Sequence, residues 1–579
     1  MLHGIDTGVI ISYFVIVTVL GLLLSKKASA SLDDYFLGGH SIPWFILGVS
    51  GMATYVDMSG TMLQTSFFYM FGVKGYWVAF RGAIALILAF LMIFMGKWLN
   101  RSGVMTNSQL MGFRFGRGIQ GTLAKLLTAL SVMIVVVPCI SYFFVGASKF
   151  LAMYIPGLSP NTCGIIFFGI VLVYTVASGF YGVVYTDLLQ SVLVMVVIVF
   201  ITLKALTIGT AEYYAANAPQ GWFSLSLSDW PPADLPEAYA NMKFLGVLLI
   251  FWIASNIFIG FAQPHDAWTS QRYYAAKNER ESSLIACQWV VMMSFRFLLM
   301  MAIAVLAISI KEKIAEPEMA LPAVIQTYFP IGLKGLFIAA LIAAAMSTLD
   351  SIINSSAVYF VKDLYGAFIR PRSSDKHLIK VSYITTIAIV VLGVALGLKI
   401  PNINSIWAWI IMGLTTGVLA PNILKWFWWR FNGMGFAFGM AFGLLSAIIQ
   451  KLFLPDAPEH IMFCLVMSIS TLGTIIGVFF GKPTEMEVLI EFYKRIKPFG
   501  FWGPVRQACD PTFVAEVKKE NRRDLLLLGP ACIWQVMLFW MMTALVVKKW
   551  GSFFASLAIV TAMSVILYKY WYKNLKTGG

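Results

Sequence analysis

Long apolar runs separated by short polar loops set the pattern of this chain. Runs near the ~20 residues that cross a ~30 Å hydrocarbon core recur at roughly 6–24, 43–70, 76–98, 119–147, 161–178, 182–206, 243–265, 284–310, 333–361, 378–399, 404–428, 433–453, 459–480, 524–546 and 550–571. They are continuous rather than ten-residue alternations. Backbone groups in lipid must be satisfied within the spanning segment, so the pattern predicts about fifteen transmembrane helices and no barrel.

Within this background, Ala339–Tyr365 is the most informative stretch. Ala344, Ser347, Thr348, Ser351 and Ser355 recur at three- and four-residue steps and share one helix face, with Asp350 beside the stripe. An acid and several hydroxyls are costly in lipid and belong on a bundle interior or a water-filled path. Hydroxyl, carboxylate and freed carbonyl oxygens suit a hard cation, so this helix is read as one wall of a cation site.

Two other spans are interrupted. The second opens on Ile42-Pro-Trp-Phe, is broken by Gly48, Gly51, Ser59, Gly60 and Gly72, and carries Thr54, Tyr55 and Asp57. A discontinuous helix of this kind holds ions and solutes in transporters. A glycine-rich packing helix is the alternative. The seventh carries Ser255, Asn256, Gly260 and Gln263-Pro264-His265. The spacing of the two suggests paired five-helix halves, 43–206 and 243–428, with a site at the midplane.

Composition agrees: 59 % hydrophobic and 12 % charged residues in 579 exclude a soluble globular chain. The net charge of +15 comes from basic residues in loops on one side, a topology signal rather than a nucleic-acid footprint. Lys26–Lys27, Lys97, Arg101, Arg114, Arg117, Arg272, Lys277 and Arg280 fall on that side; the 209–240 loop has no Lys or Arg. This places the N-terminus outside and the C-terminus in the cytoplasm of a plasma membrane, read as a bacterial inner membrane. Six cysteines and five histidines show no metal or redox spacing, and no nucleophile motif or phosphate loop appears, so an enzyme is not expected. No obligate protein partner is evident; the lipid bilayer is the surroundings.

Single charges leave alternatives. Asp187 is either a helix N-terminal carboxylate or a site residue. Arg81, near an outer helix end, and Arg296, deeper, either pair internally with an aspartate or grip an anionic or hydroxyl-rich solute. Thr415 sits where the eleventh span would line a cavity.

The segments Ile42-Pro-Trp-Phe with Ala53-Thr-Tyr-Val, Tyr185-Thr-Asp-Leu-Leu-Gln, Ser270-Gln-Arg-Tyr with Ala275-Ala-Lys, and Ala344-Ala-Met-Ser-Thr-Leu-Asp-Ser with Lys362-Asp-Leu-Tyr resemble the sodium:solute symporter family. The resemblance runs from about residue 5 to 480 and takes in the bacterial sodium–galactose, sodium–proline and sodium–sialic acid transporters. It implies an all-α integral membrane protein of leucine-transporter-like fold, with two inverted five-helix repeats plus peripheral helices and alternating access. On that reading 1–42 is a peripheral helix and loop, 43–206 and 243–428 are the repeats, and 207–242 is an extracellular loop. Peripheral helices follow at 429–480, then a cytoplasmic segment at 481–523 and C-terminal helices at 524–579.

By position, the resemblance implies a sodium site on carbonyls of Ala53, Val56 and Ala344 and hydroxyls of Ser347 and Thr348. A second register, in which Asp57-Met-Ser-Gly matches the proline transporter, shifts the contacts and adds Asp57. A second sodium would fall to Asp187, Ser347, Asp350 and Ser351, with Asp350 replacing a hydroxyl. Solute candidates are Thr54, Tyr55, Asp57, Gly60, Arg81, Asn256, Arg296 and Thr415. The expected function is Na+-coupled import of a small polar solute, a sugar, sugar acid or other carboxylate. A proton-coupled carrier of the same fold and a transporter-like solute sensor are the rivals.

Overall fold

The computed structural model describes residues 2–28, 37–82, 85–232, 235–263, 267–400 and 402–575. Helices fill it; among the described residues no strand forms, and one isolated β-bridge pairs Trp428 with Phe501. Among the described residues, eleven helices are long and apolar enough to cross a membrane, and Gly4–Val17, Trp44–Ala53 and Pro160–Val173 are shorter apolar stretches. The count of about fifteen is therefore not reached by length and apolarity alone.

In chain order, α1 (Gly4–Ala28) precedes a helix broken into α2 (Trp44–Ala53) and α3 (Met58–Phe71). The next span is irregular and ends as α4 (Gly96–Ser102), followed by α5 (Ile119–Ala152) and α6 (Pro160–Ile208). A second broken helix gives α7 (Leu245–Ala262) and α8 (Ala267–Ala275), then come α9 (Glu279–Ala307), α10 (Leu333–Val358) and α11 (Asp375–Gly397). The tenth core span divides into α12 (Ile403–Trp409) and α13 (Leu419–Phe427) about a π-helical turn, Ile410–Thr415. Peripheral α14 (Gly433–Phe453), α15 (Glu459–Phe480), α16 (Met486–Ile496), α17 (Pro511–Val546) and α18 (Trp550–Tyr570) complete the chain.

The two interruptions have local causes. Asp57 adopts extended backbone (φ −78°, ψ 161°) and caps α3, its Oδ1 accepting the Gly60 amide at 2.5 Å. An N-cap carboxylate satisfies an orphan helix N–H, which lets α3 start afresh in mid-bundle. At the end of α7, Gln263 takes a positive φ of 77°, which no continuing helix allows. At α17 the cap is Asp510; the Thr512 hydroxyl and the Phe513 amide hold its carboxyl below the usual range.

One expectation is corrected. Spans 161–178 and 182–206 were expected as separate helices with Asp187 opening the second, but α6 runs unbroken over 49 residues. No proline interrupts the middle, and glycines permit a break without imposing one while lipid penalises freed backbone groups. Asp187 is therefore mid-helix and is not an N-terminal carboxylate. The 481–523 stretch is folded: Arg114 is fully buried with its guanidinium 5.0–5.4 Å from the rings of Phe115, Phe492 and Trp502.

A buried knot ties the far ends of the irregular span, α7, α12 and α15. Arg81 donates through Nε (3.1 Å) and Nη2 (2.6 Å) to Glu459, and through Nη1 to Asn404 Oδ1 at 2.5 Å. Glu459 also receives the Trp252 indole (3.0 Å) and the Asn241 amide (2.7 Å). Removing one partner from a buried pair leaves an uncompensated charge, at a cost of about 3–5 kcal/mol. Glu459→Ala is expected to lower the thermal midpoint of the purified protein by several degrees, and Arg81→Met added to Glu459→Leu to recover much of that loss. A Glu459→Ala protein as stable as the parent would mean the knot carries no such load.

Candidate functional site

The break between α2 and α3 lies against α10, which is buried along almost its whole length. Thr348 Oγ1 stands 2.9 Å from the Ala344 carbonyl and 3.0 Å from the Thr54 carbonyl. A hydroxyl has one proton, so these three oxygens share a single hydrogen. The Ala53 carbonyl accepts the Val56 amide at 3.3 Å. Thr54, rather than Ala53, thus turns its carbonyl to Thr348, one residue along from the first register implied by the resemblance. Ser347 Oγ lies beside Asp187 but is buried with no hydrogen-bond partner.

Asp187 and Asp350 reach the same region from α6 and α10. Asp187 Oδ2 accepts the Ser50 hydroxyl, and Asp350 Oδ1 accepts the Thr175 hydroxyl. Asp187 Oδ1 and Asp350 Oδ2 are buried without a hydrogen-bond partner. With Ser347 Oγ, which lies close enough to Asp187 to steady its carboxylate, they form a group of buried oxygens short of well-formed hydrogen bonds among the described residues, which a cation or proton would complete. The donor set, all oxygen, suits a hard monovalent or divalent cation.

The centre of the site is a residue that the loop-charge pattern assigned to a surface: Arg272 on α8. It is 0 % exposed. Its Nη2 donates to Ser50 Oγ (2.8 Å), Thr54 Oγ1 (2.8 Å) and Ser351 Oγ (2.9 Å), and its Nη1 to the Trp268 carbonyl (2.7 Å). It lies 3.7 Å from Asp187 Oδ2. The two broken helices, α6 and α10 are thereby joined through one guanidinium. Two sequence expectations change. Thr54 and Ser351 spend their hydroxyls on Arg272, and the Asp187–Ser351 pair already has a cation between them.

A second cluster lies at the start of α3. A methyl group placed on Gly60 would stand 2.6 Å from Asp57 Oδ2, 3.0 Å from Arg296 Nη2 and 3.0 Å from the Tyr142 hydroxyl, so these three groups converge on one point. Arg296 keeps 8 % and Asp57 7 % of its surface open amid neighbours that are sealed. Arg296 Nε is buried without an acceptor, and no carboxylate among the described residues lies within ion-pair distance of it. Trp407 covers Tyr142 with ring centroids 4.9 Å apart. An unpaired guanidinium, a carboxylate and a phenol around a small gap can hold a polar solute.

The other solute candidates are placed elsewhere. Arg81 is fully buried and pairs with a glutamate, not an aspartate: each of its three nitrogens donates to Glu459 or Asn404, which fixes it in a structural contact rather than toward a solute. Asn256 uses its amide on the Phe80 and Trp252 carbonyls, bridging two helices. Tyr55 turns away to Thr269 (2.9 Å) and stacks by Trp289. Thr415 is buried in the π-helical turn before α13.

Comparison with known proteins gives a consistent picture. The sodium:solute symporter family profile matches residues 35–443. A sodium/glucose cotransporter of Vibrio parahaemolyticus is 28 % identical over 437 residues, 68 % of this chain and 75 % of the relative. Sodium/glucose cotransporter 4 of Danio rerio is 25 % identical over 78 % of this chain and 72 % of its own length. Among solved structures, the substrate-bound outward-open state of a Na+-coupled sialic acid symporter superposes with a TM-score of 0.67 at 20 % identity, covering 83 % of this chain and 99 % of the other. At that identity the likeness establishes the fold, which is leucine-transporter-like and all-helical.

Arg272→Met should strip Asp187 of the one cation within ion-pair distance of it among the described residues and lose folded protein on solubilisation. Adding Asp187→Asn removes the stranded charge and is expected to restore much of the yield on gel filtration, with transport still impaired. Equal yields for the single and double variants would show that charge compensation is not what Arg272 provides.

Proposed function

Because the chain belongs to the sodium:solute symporter family, we propose that it imports a small polar organic solute, a sugar, sugar acid or other carboxylate, on the inward flow of sodium. One observation carries this reading: the opening between α2 and α3 turns the Thr54 carbonyl onto Thr348, beside the unsatisfied Ser347 hydroxyl. A sodium ion at this point would draw on oxygens of Ala53, Thr54, Val56, Ala344, Ser347 and Thr348. Arriving from outside, it would meet the Thr348 oxygen through a lone pair, the hydroxyl keeping its proton and turning it aside, and so fix the break. That would set the adjoining start of α3, where Asp57, Gly60, Arg296 and Tyr142 await the solute. Such coupling is reciprocal, so bound solute tightens sodium by the same factor. An inward potential adds about 2.3 kcal/mol per charge per 100 mV.

Arg296 supports an anionic or hydroxyl-rich solute, and the names of the sugar-cotransporting relatives point the same way. Asp187, Ser347, Asp350 and Ser351 remain candidates for a second cation, with Arg272 already sharing that space. Only Asp187 of the two buried carboxylates meets Arg272, and Asp350 is in no ion pair among the described residues; this favours a second reading, in which Asp350 carries a proton instead. We place the carrier in a plasma membrane, the bacterial inner membrane, with its N-terminus outside and its C-terminus cytoplasmic, following the side on which the loop arginines and lysines gather.

Thermal stability of the purified protein in sodium against potassium and choline at matched ionic strength tests the ion, since a ligand of the folded state alone must raise the midpoint. A sodium-specific rise is expected, with the half-saturating concentration increased at least tenfold in Thr348→Ala, a change of about 1.4 kcal/mol. A flat sodium response combined with a midpoint that tracks pH and is altered by Asp350→Asn would move the coupling to protons. For the solute, Gly60→Ala should abolish uptake into proteoliposomes while leaving the sodium response in place. If Gly60→Ala transports normally, the solute does not sit at Asp57 and Arg296.

A further inference from the structure

On the face where α4 ends and α9 begins, a cleft of about 540 Å³ opens between those core helices, the start of α17 and the end of α18. Five basic residues line it, Lys97, Arg280, Lys497, Lys519 and Arg523, against the acidic Glu279, Glu516 and Glu520. Two of those acids are already engaged. Glu279 accepts from Arg101 (2.7 Å), and Glu520 accepts from Arg101 (2.6 Å) and Lys97 (3.3 Å). Arg523 turns to Asp524 at 3.1 Å. Among the described residues, Arg280 meets the Tyr572 hydroxyl, at 3.3 Å, and the face of its ring, and is in no ion pair. Lys519 is exposed and in no ion pair among the described residues; the exposed Glu516 is the acid left on that wall.

The depth of the cleft gives its chemistry. The apolar part of α17 begins at Leu525, 43 % exposed, and Leu526, 68 % exposed, so Arg523 stands about half a turn and Lys519 nearly two turns beyond the hydrocarbon edge. The apolar part of α18 ends at Leu567, after which Tyr568, Tyr570, Trp571 and Tyr572 are interspersed with Lys569 and Lys573. Tyr570 lines the cleft and is 50 % exposed. Aromatic and basic side chains just past an apolar span mark the headgroup layer, and basic pockets between helices there hold anionic headgroups. The α18 window that spans the membrane is only 11 % buried, so lipid reaches the cleft from the side.

We propose that this cleft binds the phosphodiester headgroup of an anionic phospholipid. Arg280 and Lys519 meet the phosphate, and the acyl chains lie on the exposed apolar face below Leu525. The lipid would then join α4 and α9 of the core to the peripheral α17–α18 pair. Its binding does not depend on which solute or ion the core carries.

The test uses delipidated full-length protein in a neutral detergent, given phosphatidylglycerol, phosphatidylcholine or inorganic phosphate. Phosphatidylglycerol is expected to raise the thermal midpoint by several degrees and to be retained in native mass spectra. Retention should fall at least fivefold in Arg280→Ala/Lys519→Ala and stay at parental level in Arg370→Ala/Arg372→Ala, which removes the same charge from another loop. Lys519→Ala alone, at an exposed position, serves if the double variant is not recovered folded. Equal protection by phosphatidylcholine, or phosphatidylglycerol retention unchanged in the cleft variants, overturns the proposal. Protection by inorganic phosphate alone assigns the cleft to free phosphate and overturns the lipid.

Discussion

The structure depends on one constraint: a helix opened in the middle of a bundle must have its freed polar groups met without water. Arg272 is how this chain meets it. The guanidinium reaches Ser50 and Thr54 on the first broken helix, Ser351 on α10 and Asp187 on α6. A lysine in its place would offer a point charge, whereas the planar fork reaches several oxygens at fixed angles. The turn of the Thr54 carbonyl onto Thr348 lies beside that hub, and the Asp57 cap on Gly60 completes the opening by starting α3 afresh.

Four deeply placed arginines divide into two kinds. Arg81, Arg114 and Arg272 are fully buried and heavily bonded, to a carboxylate, to carbonyls beneath aromatic rings, and to the hydroxyl cluster respectively. Arg296 stands apart, its Nε buried without an acceptor among the described residues and a sliver of its surface open. Burying a guanidinium without a partner is costly, so an unpaired one that persists beside a carboxylate and a phenol marks a place where something else completes the set. Arg114 keeps its Nη1 without an acceptor beneath the aromatic rings, so the contrast that counts is with Arg81 and Arg272, and it is stronger evidence than Arg296 alone.

Local pattern made much of this legible in the sequence. The three- and four-residue stripe on α10 located its polar face, and the glycines with Asp57-Met-Ser-Gly located the first break, because both depend on neighbours a turn apart. Arg272 was hidden because it sits among Lys277 and Arg280, where the charge pattern of a membrane loop is expected. The short α8, which pulls it inward, follows a break visible only as Gln263-Pro264-His265, and residues 264–266 lie outside the described residues. Arg81 was misread because its partner, Glu459, is 378 residues away. Period and composition report which residues share a helix face; they do not report which faces meet.

The Thr348 hydroxyl, shared between the carbonyls of Ala344 and Thr54, bears on the half of a transport cycle in which nothing is carried. A coupled carrier must cross back empty, and one that falls apart when empty would either stall or let ions through unpaired. Here a single proton bridges the gap between α10 and the broken helix. The loaded and unloaded forms would then differ in what closes the gap rather than in whether it is closed, and slippage is held down on the return journey.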